Sequence, residues 1–283
     1  MGKIHDALQR AEALRQRSDE PARATDITAA DLAPRIEVPA RGWRDRFRRN
    51  KAKTRKKAVT PVPAGKVLVS DSGSPYSEEY RTLRARIHSL RRTRELRSIV
   101  LSSARPNEGK TTTAVNLALS FGAERENSVC LVDADLRTPR VHRAFAGTGV
   151  VGLAEVLEGD AKLEEALVLV PDSRLMVLPV KAMPTAPSEL LSSRAMRELV
   201  AELHTRFHTV IFDAPPVLGL PDTVTLVDLC DSALFVVGAG RSPRDEVESA
   251  LERLDANKVI GVVLNRCAKH EVGYLGAYGY GKS

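Results

Sequence analysis

Six short apolar runs, each the length of a β-strand, recur through residues 98–264 and are separated by stretches with helical periodicity. The runs are Ser98–Ser102, Ser128–Val132, Leu175–Val180, Thr209–Phe212, Ala233–Val237 and Val259–Leu264. The helical stretches include Thr111–Phe121, Arg194–His204 and Arg244–Leu254, and a further long helix is predicted before the first run, over residues 74–93. This alternation predicts an α/β fold in which a mostly parallel sheet carries helices on both faces. Ligands of such folds bind outside the carboxyl ends of the strands.

The composition is that of a globular protein. Of the 283 residues, 43% are hydrophobic and 28% charged, close to the average for folded domains. No run reaches the roughly 18–20 apolar residues that a membrane span needs, and the start MGKIHDALQR lacks the apolar core of a signal peptide. We therefore expect a cytoplasmic protein. The three cysteines are far apart in the sequence and are expected to be reduced and buried.

The positive charge is concentrated before residue 67. The chain has a net charge of +7, and residues 1–66 hold 17 Lys/Arg against 8 Asp/Glu. Apolar residues at helical spacing predict a short amphipathic helix over residues 3–17. The polar, Pro- and Ala-rich stretch that follows, up to about Gly65, predicts a largely disordered linker.

Residues 41–57 are the most basic part of this linker, with ten Lys/Arg, one acid, and Trp43 and Phe47 between them. Three interpretations remain open. The segment is a solvated linker, or it contacts an anionic membrane surface through its cations and aromatic rings, or it binds nucleic acid. The last is disfavoured because no recognisable nucleic-acid-binding module accompanies the charge.

A phosphate-binding loop is predicted where the first apolar run meets the following helix. Backbone N–H groups and the helix N-terminus would hold phosphate oxygens, Lys110 would reach the β- and γ-phosphates, and the Thr111 hydroxyl would ligate Mg²⁺. Ala104 and Asn107 stand where such loops usually carry glycine; Asn tolerates the left-handed backbone conformation. The candidate nucleotide-binding residues of the loop are Ala104, Asn107, Glu108, Gly109, Lys110, Thr111 and Thr112.

Acidic residues follow two later apolar runs. Asp133 and Asp135, with Arg137 behind them, come after the second run, and Asp213 follows the fourth and precedes Pro215 and Pro216. With a P-loop in the same chain, these acids predict a general base or water-positioning group and a Mg²⁺ shell. We assign Asp213 and Asp135 to the metal and Asp133 as the base, although the roles of Asp133 and Asp135 could be exchanged.

These motifs resemble those of the bacterial tyrosine kinases of capsule and exopolysaccharide export, which are related to the ParA/MinD-type ATPases. Residues 70–283 carry the resemblance: a P-loop, an Asp-x-Asp-x-Arg motif at Asp133, Asp135 and Arg137, and an Asp-x-Pro-Pro motif at Asp213. The resemblance implies a SIMIBI-type P-loop fold that uses ATP and Mg²⁺. It also implies that Lys110, Asp133, Asp135 and Arg137 act in catalysis and that Asn265 contacts adenine.

The resemblance extends to assembly and substrate. Glu78, Arg81 and Arg84 match a Glu-x2-Arg-x2-Arg motif that the family uses to form rings, although their helical spacing equally suits ordinary surface ion pairs. Tyr274, Tyr278 and Tyr280 lie among glycines in the last ten residues. They match the family's tyrosine cluster and are predicted phosphoacceptors, the alternative being an end-piece that docks on the domain. A membrane adaptor of the polysaccharide co-polymerase type and a peripheral position at the inner face of the cell membrane are implied.

Three regions follow: residues 1–66, with the helix and basic linker; 67–270, a P-loop tyrosine kinase domain; and 271–283, a flexible autophosphorylation tail. Two other functions remain open. One is a ParA/MinD-like positioning or partition ATPase, against which Arg105 and Pro106 stand where those ATPases carry a signature lysine and a glycine. The other is a nucleotide-gated scaffold for a polysaccharide polymerase that phosphorylates no tyrosine.

Overall fold

The computed structural model describes residues 60–61, 75–146 and 151–267, all within one compact unit. The predicted helix over 3–17, the basic segment 41–57 and the tyrosines of the tail lie outside the described residues. The strands are β1 Thr60–Pro61, β2 Ser98–Ser103, β3 Val129–Asp133, β4 Phe145–Ala146, β5 Val168–Leu169, β6 Leu175–Leu178, β7 Thr209–Asp213, β8 Ser232–Gly238 and β9 Val259–Asn265. Each of the six predicted apolar runs overlaps a strand.

Eight α-helices and one 3₁₀ helix, Val141–Ala144, lie within the described ranges. The α-helices are α1 Pro75–Leu90, α2 Lys110–Gly122, α3 Leu153–Glu158, α4 Leu163–Ala166, α5 Pro187–Ser192, α6 Arg194–Arg206, α7 Asp222–Leu229 and α8 Arg244–Glu252. The sequence pattern predicts α1, α2, α6 and α8. It does not reveal α3, α4, α5 or α7, because four to eight residues are too few for a periodic pattern.

The main sheet has seven strands in the order β5-β6-β3-β7-β2-β8-β9. All neighbouring pairs are parallel except β5 with β6, which is antiparallel. In this order β3, β7 and β2 are adjacent, and they are the strands that precede the predicted acids and the P-loop. Asp213 is therefore the register partner of Leu101 on one side and of Asp133 on the other.

Helices cover both faces of the sheet, as predicted. One face packs against residues such as Leu153, Leu191 and Leu203 from α3, α5 and α6. The other packs against α2, with Leu117 and Phe121 fully buried. Helix α1 packs against α2, and its Ile87 is 1% exposed.

A short antiparallel pair, β1 with β4, joins Thr60 to Ala146 outside the main sheet. Thr60–Pro61 belongs to the segment that the sequence assigns to the linker, and this pairing shows it next to the P-loop domain. Among the described residues, no helix is long and apolar enough to cross a membrane.

The cysteines differ in exposure. Cys130 on β3 and Cys230 after α7 are buried, whereas Cys267 is half-buried. Burial raises the pKa of the Cys130 thiol far above its usual value, and it raises that of Cys230 to about 12. The expected burial is confirmed for Cys130 and Cys230 but is wrong for Cys267, which follows the edge strand β9.

Candidate functional site

The P-loop leaves β2 and enters α2 with an open helix N-terminus. Gly109, at the N-cap position, has a left-handed φ of 101°, and no side chain caps the first turn of α2. Asn107 has a φ of 66°, so it adopts the conformation that the sequence analysis expected asparagine to tolerate. Unsatisfied N–H groups at a helix N-terminus, with no acidic side chain in the first turn, form an anion-binding site.

Asn265, the last residue of β9, contacts the P-loop. Its Nδ2 donates to the Glu108 carbonyl at 2.8 Å, and its Oδ1 accepts from the Arg266 backbone N–H at 2.8 Å. A β-carbon added to Gly109 would lie 1.9 Å from Asn265 Nδ2. Both amide atoms of Asn265 are therefore engaged by the chain, and its predicted contact with adenine stays a prediction.

The Glu108 side chain braces the loop from within. It is 1% exposed, and its carboxylate accepts from the Arg105 backbone N–H at 2.9 Å, from the Gly238 N–H at 3.2 Å and from the Ser242 hydroxyl. This side chain ties the P-loop to the end of β8 and to the segment before α8. The sequence offered no signal for the two distant partners, since they lie 130 and 134 residues further along the chain.

Lys110 points at the acidic side of the site. Its Nζ lies 3.5 Å from Asp135 Oδ2. The Asp135 carboxylate also accepts from the Thr138 backbone N–H at 2.9 Å and from the Thr138 hydroxyl at 3.0 Å. Since Asp135 is 2% exposed, these contacts fix its orientation toward the P-loop lysine.

Asp213 is the acid whose contacts best fit a metal. It is fully buried, and neither carboxylate oxygen has a hydrogen-bond partner of normal geometry. Burial raises its pKa to about 7, although the charge of Lys110 and the nearby Thr111 hydroxyl act in the opposite direction. Two unsatisfied carboxylate oxygens beside a threonine hydroxyl fit Mg²⁺, which is usually held by one or two carboxylates together with substrate phosphates and water. Thr111, Asp213 and Asp135 would hold it.

The loop after Asp213 is fastened to β2. The Pro215 carbonyl accepts from the Ser102 and Thr223 hydroxyls, each at 2.6 Å. The Ala214 N–H donates to the Leu101 carbonyl at 3.0 Å. These bonds attach the backbone beside Asp213 to β2, the strand that leads into the P-loop.

Asp133 is fully buried and is held by the loop that follows it. Its Oδ2 accepts from the backbone N–H groups of Arg140 at 3.1 Å and Val141 at 3.0 Å, while its Oδ1 has no partner. Burial, followed by the negative charge of Asp213, raises the pKa of Asp133 well above its ordinary value. The two acids at the ends of β3 and β7 therefore both have pKa values above that of an ordinary aspartate.

Two arginines lie beside these acids. Arg137 contacts α7 and α5, where its Nε donates to Asp222 at 2.9 Å and an Nη donates to Ser188 at 2.8 Å. Arg140, which the sequence analysis missed, donates to Asn107 Oδ1 at 2.8 Å and so joins the Asp133 loop to the P-loop. Its position seven residues after Asp133 offered no motif by which to find it.

The predicted ring motif lies on α1. Arg81 is ion-paired with Glu78 at 2.7 Å on the exposed side of the helix. Arg84 pairs with Glu124 at 3.0 Å and also donates to the Ser120 carbonyl. Within one chain, Arg84 therefore fastens α1 to the end of α2, which is the ordinary ion-pair alternative, while the role of the motif in assembly stays a prediction.

Comparisons with known proteins agree with this geometry. A family model described as an AAA domain matches residues 96–242. Tyrosine-protein kinase YwqD of Bacillus subtilis (strain 168) is 38% identical over 215 residues, which cover 74% of this chain and 90% of YwqD. Succinoglycan biosynthesis transport protein ExoP of Rhizobium meliloti (strain 1021) is 30% identical over 213 residues, which cover 74% of this chain and 27% of ExoP.

Solved structures show the same relationship. The chimerical protein CapA2B2 superposes with a TM-score of 0.69 at 31% identity, covering 75% of this chain and 94% of that chain. The MinD protein of Pyrococcus horikoshii OT3, solved with Mg-ADP, has a TM-score of 0.52 at 23% identity, covering 62% of this chain and 72% of MinD, which shows a shared fold. The predicted α/β P-loop fold of SIMIBI type is confirmed, and the chain belongs to the bacterial tyrosine kinase family.

Proposed function

We propose that this chain transfers the γ-phosphoryl group of Mg-ATP to tyrosine side chains of its own C-terminal tail. The observation that carries the proposal is the meeting of three features at one edge of the sheet. They are the uncapped N-terminus of α2, Lys110, and the buried Asp213 with two unsatisfied oxygens. Phosphoryl transfer asks a protein chiefly for positioning and for neutralisation of phosphate charge, and these groups can do both.

The geometry supports the following roles. The backbone N–H groups from Asn107 to Thr112 and the Lys110 ammonium bind the phosphates. Thr111, Asp213 and Asp135 would hold Mg²⁺, which would supply positive charge to neutralise the phosphates. The tyrosine oxygen forms a bond to the γ-phosphorus as the bond from that phosphorus to the bridging oxygen breaks, and ADP leaves. The phenol proton passes to a carboxylate, for which Asp133 is our assignment and Asp135 the alternative.

Asp133 suits the role of base through its environment. Its raised pKa makes its ionised form a stronger proton acceptor than an ordinary aspartate. A cation bound beside Asp213 would favour ionisation of both acids. Asp133 would then be ready to accept a proton only once the metal and nucleotide are in place.

The acceptors proposed are Tyr274, Tyr278 and Tyr280, with transfer between subunits of a homo-oligomeric ring in which Glu78, Arg81 and Arg84 take part. The name of the relative ExoP supports a role in exopolysaccharide or capsule biosynthesis. We propose a membrane adaptor of the polysaccharide co-polymerase type as partner and a peripheral position at the inner face of the cell membrane. In such a position residues 41–57 would meet anionic lipid.

The test is to incubate purified protein with labelled ATP and Mg²⁺ and to map phosphotyrosine by mass spectrometry. We expect label on the tail tyrosines, and none in Lys110→Met, because that change removes the cation that neutralises phosphate charge. Full labelling of Lys110→Met would contradict the site. ATP hydrolysis without any labelled tyrosine would instead support the partition-ATPase alternative.

A further inference from the structure

A cavity of about 510 Å³ opens beside the candidate nucleotide site. Its cationic lining comes from two segments, the loop after β3 with Arg137, Arg140 and Arg143, and Lys181 after β6. Among the residues that the structure describes, no acidic one lines it. This is the size of a small-ligand site, and its electrostatic character is that of an anion site.

Of the four cationic side chains that line the cavity, two have polar partners and two have no ion-pair partner among the described residues. Arg137 and Arg140 are engaged in part, by Asp222 and by Asn107. Arg143 and Lys181 are exposed and have no ion-pair partner among the described residues. The pKa of His142 on the same wall is lowered by burial and then by the charges of Arg143 and Lys181, so both cations act on the cavity.

The cavity also has an apolar side. Val180, Pro139 and Met183 line it, and Met183 is 67% exposed. Guanidinium groups bind phosphate oxygens in bidentate fashion, and a methionine thioether packs favourably against aromatic rings. A phosphate carried on an aromatic ring matches both halves of this lining. An extended polyanion such as nucleic acid would instead need a basic stripe across the surface.

The walls of the cavity touch the catalytic carboxylates. Thr138, which also lines it, donates to Asp135, and Arg140 donates through its backbone N–H to Asp133. A phosphotyrosine in the cavity and an acceptor tyrosine beside those acids can therefore belong to one tail and be only a few residues apart. Tyr278 lies two residues from Tyr280 and four from Tyr274, which corresponds to about 7 Å and 14 Å of extended chain.

We infer that this cavity binds phosphotyrosine of the tail, so that a tail already phosphorylated at one tyrosine is held while another tyrosine enters the site. The inference rests on the proposed function. Residues 271–283 contain one Glu and one Lys, so the tail is close to neutral until it is phosphorylated. Each phosphate then adds nearly two negative charges and turns a weak ligand of this cavity into a strong one.

The binding test uses synthetic peptides of residues 270–283, with and without phosphate on Tyr278, and full-length protein treated with phosphatase in the absence of ATP. Fluorescence anisotropy should show that the phosphopeptide binds at least tenfold more tightly than the unmodified peptide. Arg143→Ala with Lys181→Ala should abolish this difference. Arg92→Ala with Arg125→Ala should preserve it, because those exposed arginines follow α1 and α2, away from the carboxyl ends of the strands.

Two results would overturn the inference. One is equal affinity for the two peptides. The other is displacement of the phosphopeptide by inorganic phosphate as readily as by free phosphotyrosine, which would show that the ring is not recognised. Circular dichroism of each variant checks that it is folded.

A second measurement separates this inference from the proposed function. Intact-mass spectrometry during autophosphorylation should show that Arg143→Ala with Lys181→Ala adds its first phosphate at the wild-type rate and then accumulates singly phosphorylated chains. An identical distribution in wild type and variant would refute the cavity's role while leaving the kinase activity standing. Absence of phosphate in wild type would refute the proposed function, and with it this inference.

Discussion

Gly109 and Asn265 are packed against each other so closely that a β-carbon at position 109 would lie 1.9 Å from the Asn265 side-chain nitrogen. The same nitrogen donates to the Glu108 carbonyl. The P-loop and the end of β9, more than 150 residues apart in the chain, are therefore one packing unit. A substitution at Gly109 should therefore affect Asn265, and a substitution at Asn265 should affect the P-loop.

We expect Gly109→Ala to lower the free energy of unfolding by about 1–3 kcal/mol from backbone strain, with a further loss from the collision with Asn265. Thermal unfolding measures the loss of stability, and nucleotide titration measures any loss of nucleotide affinity. The matched control is Gly159→Ala, because Gly159 has a φ of 85° but nothing within 4 Å of the added carbon. If the collision matters, Gly109→Ala with Asn265→Ala regains part of the lost stability, whereas equal losses at positions 109 and 159 would argue against it.

Asp213 should make the stability of the nucleotide-free protein depend on pH. Its folded pKa of about 7 lies above that of an unfolded aspartate, so between these values the folded state holds the extra proton. This stabilising effect is full at low pH and is lost as the pH rises toward 7, with a slope of up to about 1.4 kcal/mol per pH unit.

We expect Asp213→Asn to weaken that decline, so that the variant gains about 2 kcal/mol relative to wild type between pH 5 and pH 7. Urea unfolding at a series of pH values measures it. Asp228→Asn, at an exposed position on α7, is the control and should leave the wild-type profile unchanged. Parallel profiles for wild type and Asp213→Asn would show that the carboxyl is not perturbed.

Loss of the Glu108 carboxylate should weaken nucleotide binding more than loss of a surface ion pair does. Glu108→Gln places an amide group among three donors, and an unsatisfied buried donor costs about 1–3 kcal/mol. We expect a higher KM for ATP with a smaller change in kcat. Glu246→Gln, which removes the pairing of Arg105 with α8, should cost at most about 1 kcal/mol. Equal kinetics of the two variants would exclude a special role for Glu108.

The two arginines of α1 should separate assembly from stability. Arg84 is partly buried against Glu124, so Arg84→Ala should lower the melting temperature of the single chain. Arg81 lies with Glu78 on the exposed side, and Arg81→Ala should reduce oligomer mass and tail phosphorylation while lowering the melting temperature less than Arg84→Ala does. Light scattering and phosphotyrosine mapping measure these. Unchanged mass in Arg81→Ala would remove this residue from the proposed ring.

The tail tyrosines should account for the product. Replacing Tyr274, Tyr278 and Tyr280 by phenylalanine should eliminate most autophosphorylation and leave ATP affinity unchanged, since the acceptors are not part of the nucleotide site. Mass spectrometry and a nucleotide titration check both halves. Phosphate found on Tyr76 or Tyr80 instead would mean that the acceptor segment is wrongly assigned.

The sequence predicted the sheet well because its strands are buried and continuous in their apolar character. β7, for example, is buried at all five residues. In a chain with a P-loop, a short and continuous apolar run of this kind indicates a buried strand of a parallel sheet. The antiparallel β5 escaped prediction because two residues carry no pattern. The short α5 and α7 escaped for the same reason, although they hold Ser188 and Asp222, the partners of Arg137.

In the site, local motifs could be found and distant contacts could not. Lys110, Asp135 and Asp213 stand in recognisable spacing beside apolar runs, and the order of β3, β7 and β2 brings them together. Arg140 and Ser242 have no such signature, because their roles depend on which loops meet after folding. Asn265 was found through family resemblance, but its bond to the Glu108 carbonyl depends on where β9 ends.

The unequal exposure of the three cysteines makes the chain a natural single-site target for thiol chemistry. Cys130 and Cys230 are shielded, and burial suppresses their ionisation, so a maleimide reagent will react with them slowly while the protein is folded. Cys267 is only half-buried and lies two residues beyond Asn265, whose side chain contacts the P-loop. A fluorophore attached there would report the arrival of nucleotide without any engineered mutation.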